Sequence, residues 1–102
     1  YEKGKHCKLL QKLFKKYSPY KSFISKLGKP VWLTEIGWNT EKYSQSQQAI
    51  KIMEMSNTKI EIGLNGLFLY CLMDDSTGTE PPWGIYEKNG TAKEVVGYLK
   101  NN

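Results

Sequence analysis

The chain contains no arginine, so lysine supplies its basic charge apart from the single histidine. Arginine makes the bidentate contacts by which proteins read bases and hold phosphates, and its absence argues against nucleic-acid recognition. The 102 residues nevertheless carry a net charge of +5, with much of the excess in the first 29 residues. The lysines there alternate with apolar residues, as on a solvated helix face. We predict no nucleic-acid partner, and a basic nucleic-acid-binding domain stays as a rival interpretation.

Cysteine and histidine are scarce. Cys7 and Cys71 are too few for a disulfide framework, and neither lies in a Cys-x-x-Cys or Cys/His cluster, which indicates buried thiols. His6 precedes a lysine-rich helical segment and is interpreted as exposed. Asp74 and Asp75 lack the further oxygen ligands that a hard cation requires. We therefore expect no metal site and no cofactor.

Long apolar runs are missing as well. The longest, Leu67–Met73, is far shorter than the roughly 20 residues that span a bilayer, so we expect no membrane partner. The lysine-rich start of the chain has no apolar signal-peptide core. Tyr1 stands where an initiator Met is expected, which suggests a piece of a longer protein.

Helical spacing of apolar residues predicts two helices at the start of the chain. The first runs from about Lys5 to Tyr17. The second has Ser18 as its N-cap, Pro19 at the first helical position and Gly28 as its stop.

Two later helices are predicted by capping boxes. Ser44 and Gln47 open a helix that continues to about Asn57. Thr91 and Glu94 open the last one.

Two apolar runs, Val31–Ile36 and Leu67–Met73, predict buried strands. A polar loop follows each strand, and Asn89-Gly90 predicts a turn after the short extended piece Trp83–Tyr86. Two such strands joined through a helix should be parallel, which gives an α/β fold. Because a two-stranded parallel sheet cannot cover itself, the chain either associates with copies of itself through its open strand edges or completes a larger α/β domain.

Acidic and aromatic side chains gather at the carboxyl ends of the predicted strands, where α/β folds place their active sites. An acid among aromatics suits carbohydrate chemistry, because rings stack on sugar CH faces and a carboxylate stabilises an oxocarbenium-like transition state. The residues at or near this end are Glu35, Trp38, Tyr70, Asp74, Asp75, Glu80 and Trp83.

An ordered set of motifs resembles the end of (β/α)8 retaining glycoside hydrolases of the cellulase-like, β-xylosidase-like and mannanase-like clan. The motifs are Pro30–Trp38, Gln48-Ala49, Leu67–Tyr70, Asp74-Asp75, Trp83–Tyr86, Asn89–Thr91 and Lys93. The resemblance implies a partial TIM barrel, with Val31–Ile36 as barrel strand seven and Leu67–Met73 as strand eight. It also implies a carbohydrate substrate, hydrolysis of O-glycosidic bonds with retention, and a secreted location as a plausible setting.

The same resemblance makes Glu35 the catalytic nucleophile and implies substrate-binding roles for Trp38, Tyr70 and Trp83. The family's acid/base Glu, on barrel strand four, has no counterpart here, so we expect the chain to be inactive alone. A sugar-stacking Trp of strand eight corresponds to Leu69, with Tyr70 or Trp83 as possible substitutes.

Strand alternation in such a barrel predicts that Val31, Leu33 and Glu35 face its interior, while Trp32, Thr34 and Ile36 face the helices.

Other interpretations stay open for each of these residues. Glu35 could pair with a lysine at a strand end, and Trp38, Tyr70 and Trp83 could pack in loops or the core. A stand-alone carbohydrate-binding or interaction module is the alternative to a catalytic barrel. We favour one unit, residues 1–102, as the C-terminal part of a glycoside hydrolase domain: about strands seven and eight with the preceding helical segment.

Overall fold

The computed structural model describes residues 19–101. The helix predicted at about Lys5 to Tyr17 lies outside this range, as does Ser18. The described elements are α1 at residues 19–27, β1 at Trp32–Ile36, α2 at Gln45–Ile62, β2 at Gly66–Leu69 and α3 at Glu94–Lys100.

The two strands are parallel neighbours in one sheet, as predicted. Asn65 joins their beginnings, because its side-chain Oδ1 accepts from Val31 N at 3.1 Å and its own N–H donates to Val31 O at 2.8 Å. Before β1, α1 ends at Gly28, whose φ of 61° is the left-handed conformation expected of a glycine stop. The chain is therefore fixed at the amino end of both strands.

The capping box that opens α2 is present. Ser44 Oγ accepts from Gln47 N at 3.1 Å, and Gln47 Oε1 accepts from Ser44 N at 2.9 Å. The predicted end at about Asn57 is wrong, because α2 continues to Ile62 and stops at Gly63, with φ of 82°. Asn57 has lower helix propensity than Ala but does not break a helix that is already packed, whereas a left-handed glycine ends it.

Strand β2 is shorter than the predicted run Leu67–Met73, because the chain leaves the sheet after Leu69. It turns through a cis peptide bond between Tyr70 and Cys71. Cys71 then donates its N–H to Trp83 O at 3.3 Å, and Tyr86 N donates to Leu72 O at 3.0 Å. The segment 83–86 thus takes the backbone partners that a longer strand would have given to the sheet.

A turn at Asn89-Gly90 follows, as predicted, with Glu87 N donating to Thr91 O at 2.8 Å. Thr91 is not the N-cap of the last helix. Helix α3 begins at Glu94 and its N-cap residue is Lys93, whose side chain makes no capping hydrogen bond.

The start of α3 is held by α2 instead. Glu94 N donates to Gln45 Oε1 at 3.0 Å, and Ser46 Oγ donates to Glu94 Oε2 at 2.7 Å. A long-range partner from α2 therefore replaces the local cap that the sequence pattern predicts.

One face of the sheet is covered by helices. Leu69 packs against a buried cluster contributed by α2 and α3, which comprises Ala49, Ile52, Val95 and Val96. Leu33 pairs with Leu67, two residues before Leu69 in β2, and therefore shares the face of Leu69. A cavity of about 330 Å³ near the start of β1 is lined by Leu33, Met55 and Ile62, and also by Trp32.

The opposite face carries large apolar side chains with substantial exposure. Phe68 is 50% exposed and Trp32 is 60% exposed, and their ring centroids lie 5.7 Å apart. The indole also lies over Gly66, where an added Cβ would come within 3.1 Å of it. We name this the open face, defined by Trp32, Gly66 and Phe68.

The predicted alternation is therefore wrong at Trp32 and Leu33, whose faces are exchanged. Leu33 pairs with Leu67 and Ile36 with Leu69, so two residues of β1 oppose the single residue Phe68. Because the bulge adds one residue to β1, the residues before it lie on the opposite faces from those that simple alternation from Glu35 predicts.

Candidate functional site

Glu35 lies at the carboxyl end of β1 with an exposed side chain. It lines an open cavity of about 430 Å³ together with Ile36, Gly37, Tyr70 and Trp83. Of the four residues predicted for the site, the structure thus brings three together: Glu35, Tyr70 and Trp83.

Backbone contacts set these three residues beside one another. Tyr70 N donates to Ile36 O at 2.8 Å, which continues the strand pairing to the point where the chain turns. A Cβ at Gly37 would overlap the Tyr70 carbonyl, so a glycine is required for the two strand ends to approach this closely. The cavity is consequently built on strand ends rather than on a long free loop.

The two aromatic rings of the cavity touch edge to face. The centroids of Tyr70 and Trp83 are 6.4 Å apart at an interplanar angle of 65°. Leu69, the position that the resemblance matched to a stacking Trp, packs instead against the helical core. Tyr70 is therefore the strand-end aromatic residue that faces the cavity.

Trp38 is placed elsewhere. It is half-buried against the cluster between α2 and α3, and it does not line the Glu35 cavity. Its carbonyl oxygen accepts a hydrogen bond of 2.9 Å from Gln48 Nε2. Trp38 thus occupies a packing position, one of the two interpretations open from the sequence. Its substrate-binding role stays a prediction.

Acidic side chains influence the Tyr70 phenol. The pKa of Tyr70 is raised, first by Glu80, then by Cys71 and burial, and further by Glu35 and Asp75. A carboxylate raises a phenol pKa because it disfavours the phenolate. Carboxylates from three places in the chain therefore disfavour the Tyr70 phenolate.

Asp75 is held as a carboxylate by the loop that follows it. Its Oδ2 accepts from Thr77 Oγ1 at 2.6 Å, from Thr79 Oγ1 at 2.8 Å and from Glu80 N at 3.2 Å. These hydrogen bonds, led by that of Thr77, lower the pKa of Asp75 well below its ordinary value. The loop 75–80 is thereby folded around a fixed negative charge.

A buried lysine ties the loops together and was not predicted. Lys93 is 2% exposed, and its Nζ lies 2.9 Å from Asp74 Oδ1, 3.0 Å from Thr40 Oγ1 and 3.3 Å from Pro82 O. Asp74 Oδ1 also accepts from Gly84 N at 2.8 Å. We call Lys93, Asp74, Thr40 and Pro82 the lysine hub.

The lysine hub fixes the chain on both sides of Trp83. Pro82, the residue before Trp83, accepts from Lys93 Nζ, and Gly84, the residue after it, donates to Asp74 Oδ1. The hub also attaches the loop after β1 through Thr40, whose N–H donates to Pro82 O at 3.0 Å. Sequence reasoning missed it because lysine is almost never fully buried. The available signal was the place of Lys93 within the motif set, directly before the start of a helix.

Gln48 is a second residue whose role was missed. It is fully buried, and its Nε2 donates to Trp38 O and, at 3.1 Å, to Gly84 O. It therefore links α2 to both loops of the carboxyl end. Its place at the opening of a predicted amphipathic helix gave no sign that an amide would be buried there.

A second cavity, of about 480 Å³, adjoins this end of the sheet. Most of its lining side chains are acidic or small, and they comprise Glu41, Asp74, Asp75, Gly78, Glu80, Pro82, Glu87, Lys88 and Asn89. Across residues 19–101, no group of three or more His, Cys, Asp or Glu is arranged to hold a metal ion. Within the same range, no helix is long and apolar enough to cross a bilayer.

Two solved structures share this architecture. A β-glucuronidase from Faecalibacterium prausnitzii matches with a TM-score of 0.74 at 15% identity, over 90% of this chain and 18% of that one. A β-glucuronidase from an uncultured Clostridium species matches with a TM-score of 0.61 at 20% identity, over 94% of this chain and 18% of that one. The chain thus spans about a fifth of the length of these structures.

No protein-family model matches the chain, and no curated protein sequence does. At these identities the likeness concerns the fold. The predicted fold class is confirmed: the chain has the α/β architecture of a partial (β/α)8 barrel, with two parallel strands and flanking helices.

Proposed function

We propose that this chain is the C-terminal part of a retaining glycoside hydrolase, comprising about barrel strands seven and eight with the preceding helical segment. The observation that supports it most is the cavity at the carboxyl end of the parallel strands, where the exposed Glu35 lies beside Tyr70 and Trp83. Active sites of (β/α)8 enzymes lie at this end of the barrel. The motif resemblance and the structural likeness to β-glucuronidases point to the same reaction class.

In this proposal the Glu35 carboxylate is the nucleophile. One of its oxygens attacks the anomeric carbon, the bond to the leaving oxygen breaks, and that oxygen takes a proton from a second carboxylic acid. A covalent glycosyl-enzyme results. Water then attacks the same carbon from the other side, gives its proton to the second carboxylate and releases Glu35, so that the two inversions amount to retention.

The second carboxyl group must come from outside this segment, roughly 5 to 5.5 Å from Glu35. The resemblance assigns it to barrel strand four. A barrel takes roughly 250 residues, and the proposed segment supplies only its end. The activity therefore belongs to the full-length protein, and the 102-residue chain by itself is inactive.

Tyr70 and Trp83 are proposed as substrate-binding residues. Both rings line the Glu35 cavity, and an aromatic face packs well on the apolar CH face of a sugar. This contact fixes the sugar ring while Glu35 approaches the anomeric carbon.

The test is a pair of Glu35 variants in the full-length protein, assayed on activated aryl glycosides. We expect Glu35→Gln to lower kcat/KM by at least roughly 10⁴-fold, because the covalent step is lost. In Glu35→Ala, added azide should restore turnover and give a glycosyl azide of inverted configuration, because a single displacement replaces two.

Glu41→Gln is the matched control, since Glu41 is an exposed acid of the same end that does not line the Glu35 cavity. It should keep most of the activity. Full activity in Glu35→Gln would contradict the assignment of Glu35 as nucleophile. Absence of hydrolysis by the unmodified full-length protein would leave a carbohydrate-binding or interaction module as the function.

A further inference from the structure

The position of the Trp83 ring depends on the backbone that carries it. The side chain is half-buried and lines the Glu35 cavity, where its ring centroid lies 6.4 Å from that of Tyr70 at an interplanar angle of 65°. The Trp83 carbonyl oxygen accepts from Cys71 N at 3.3 Å. The residues directly before and after Trp83 make further long-range hydrogen bonds, so several parts of the chain act on this one segment.

Gly84, the residue after Trp83, is held by side chains from two other parts of the chain. Its N–H donates to Asp74 Oδ1 at 2.8 Å, and its carbonyl oxygen accepts from Gln48 Nε2 at 3.1 Å. Gly84 is itself buried, and a Cβ there would overlap the backbone of Met73 and Asp74. The peptide that follows Trp83 is therefore tightly held.

Lys93 supports both neighbours of Trp83 with one ammonium group. Its Nζ donates to Pro82 O at 3.3 Å and to Asp74 Oδ1 at 2.9 Å, the oxygen that also accepts from Gly84 N. The ion pair is shielded from water, with side-chain exposures of 1% for Lys93 and 13% for Asp74. Charge-assisted hydrogen bonds in such surroundings are strong and directional. Lys93 therefore holds Pro82 directly and fixes the acceptor of Gly84.

Stability alone does not account for this arrangement of buried polar groups. Apolar residues of similar volume often stabilise a fold as well as a buried ion pair does, because the charges lose their hydration. Neither Lys93 nor Gln48 is in the described lining of the Glu35 cavity. Any effect of these two side chains on a bound sugar therefore has to pass through the residues that they hold.

We propose that Lys93 and Gln48 are positioning residues of the site: they hold the Trp83 ring where it packs on the sugar beside Glu35. The inference rests on the proposed glycosidase function and on the substrate-binding role of Trp83 within it. Gln48 acts through the carbonyl group of Gly84, and Lys93 acts through the chain on both sides of the ring. Neither side chain touches the sugar.

The test is a double-mutant cycle in the full-length protein, assayed on an activated aryl glycoside. Trp83→Ala should lower kcat/KM by roughly tenfold, because the contact with the sugar is lost. Lys93→Met should lower kcat/KM by roughly three- to tenfold, mainly through KM, because the ring moves while Glu35 stays in place. In the Trp83→Ala background, Lys93→Met should lower kcat/KM by less than about twofold, since the residue through which it acts is gone.

Gln48→Met gives a second cycle that leaves no buried charge unpaired, so it applies even where circular dichroism shows that Lys93→Met does not fold. It should lower kcat/KM by roughly two- to fivefold alone and by less than about 1.5-fold in the Trp83→Ala background. Lys100→Met, in the exposed last turn of α3, is the matched control. It should leave both kcat and KM unchanged.

The failures are distinguishable. Effects of Trp83→Ala and Gln48→Met that multiply in the folded double variant would overturn the positioning role and leave the glycosidase function standing. An unchanged KM in the folded single variants at Lys93 and Gln48 would do the same. Absence of hydrolysis by the unmodified full-length protein would overturn both.

Discussion

Adjacent residues of β2 lie in opposite surroundings. Leu69 packs into the cluster formed by α2 and α3, whereas Phe68, one residue earlier, is 50% exposed on the open face beside Trp32. The covered face has the helices that a parallel sheet needs, and on the open face the side chains of Trp32 and Phe68 are at least half exposed. The chain therefore supplies its own packing on the helix-covered face of the sheet, whereas burial of the open face requires further structure.

The carboxyl end of the strands is also attached to the helices on the covered face. At the carboxyl end, the lysine hub and Gln48 connect both loops to α2 and α3 through side chains that are fully or almost fully buried. The site is therefore attached to the covered face. An incomplete barrel can hold Glu35, Tyr70 and Trp83 in place because their support comes from the helical side of the sheet.

The largest expected effect concerns the open face. In the 102-residue chain, Leu69→Ala should lower the free energy of unfolding by about 2 kcal/mol and Phe68→Ala by about 1 kcal/mol or less, because Phe68 is half-exposed. In the full-length protein, Phe68→Ala should cost about 3–5 kcal/mol, the value for a buried phenylalanine. Urea unfolding followed by circular dichroism provides the comparison.

Leu69→Ala serves as the internal control of this experiment, since its surroundings should be alike in both proteins. An equal, small effect of Phe68→Ala in both would contradict the barrel proposal and would favour a unit that is already complete.

The next effect concerns the lysine hub. Lys93→Met should lower the free energy of unfolding by about 3 kcal/mol, because it leaves Asp74 partly buried without its cation. Lys100→Met, in the exposed last turn of α3, should change it by less than about 0.5 kcal/mol. Equal effects of the two substitutions would show that the buried ion pair does not hold the loops.

Gly84 and Gly97 differ in the space around them, so alanine substitutions at the two positions should have opposite effects on stability. A Cβ at Gly84 would overlap the backbone of Met73 and Asp74, so Gly84→Ala should destabilise by about 1–3 kcal/mol. Gly97 lies within α3 with no neighbour within 4 Å, so Gly97→Ala should stabilise by about 0.5–1 kcal/mol. Thermal unfolding of both variants measures the signs, and a stabilising Gly84→Ala would contradict the close approach at the hub.

The smallest expected effect is the acid response of the loop 75–80. Because the folded pKa of Asp75 is lowered, its contribution to stability is present above the unfolded pKa of about 4 and is lost as the pH falls further. The amide proton shifts of Thr77, Thr79 and Glu80 should therefore stay constant from pH 7 to about 4 and change only at lower pH. Asp75→Asn should remove this dependence, and a midpoint at the ordinary pKa would contradict the hydrogen-bonded carboxylate.

Local signals in the sequence predicted a large part of the fold. The capping box of Ser44 and Gln47, the glycine stop at Gly28 and the turn at Asn89-Gly90 are all present. Each depends on residues within a few positions of one another, so a single sequence contains the necessary information. The two parallel strands followed from apolar runs joined through a helix, which is also a local pattern.

Long-range contacts explain what could not be predicted. The bulge in β1 depends on the register against β2, and it exchanged the faces of Trp32 and Leu33. The early end of β2 depends on the segment 83–86, which takes its backbone partners.

The same limit applies to the site. Glu35, Tyr70 and Trp83 were predicted because strand ends and motifs mark them. The sequence did not decide between packing and sugar binding for Trp38, and the buried role of Lys93 was overlooked, because the surroundings of both residues are set by residues far away in the sequence.

Covalent trapping tests the central claim most directly. The full-length protein is incubated with a 2-deoxy-2-fluoro-β-glycoside that carries a dinitrophenolate leaving group, then digested and sequenced by mass spectrometry. The fluorine slows release of the glycosyl-enzyme, so the account predicts one fluoroglycosyl group on the peptide that contains Glu35, and none in Glu35→Gln. A label on a different carboxylate, or turnover of unmodified substrate without any label on Glu35, would contradict it.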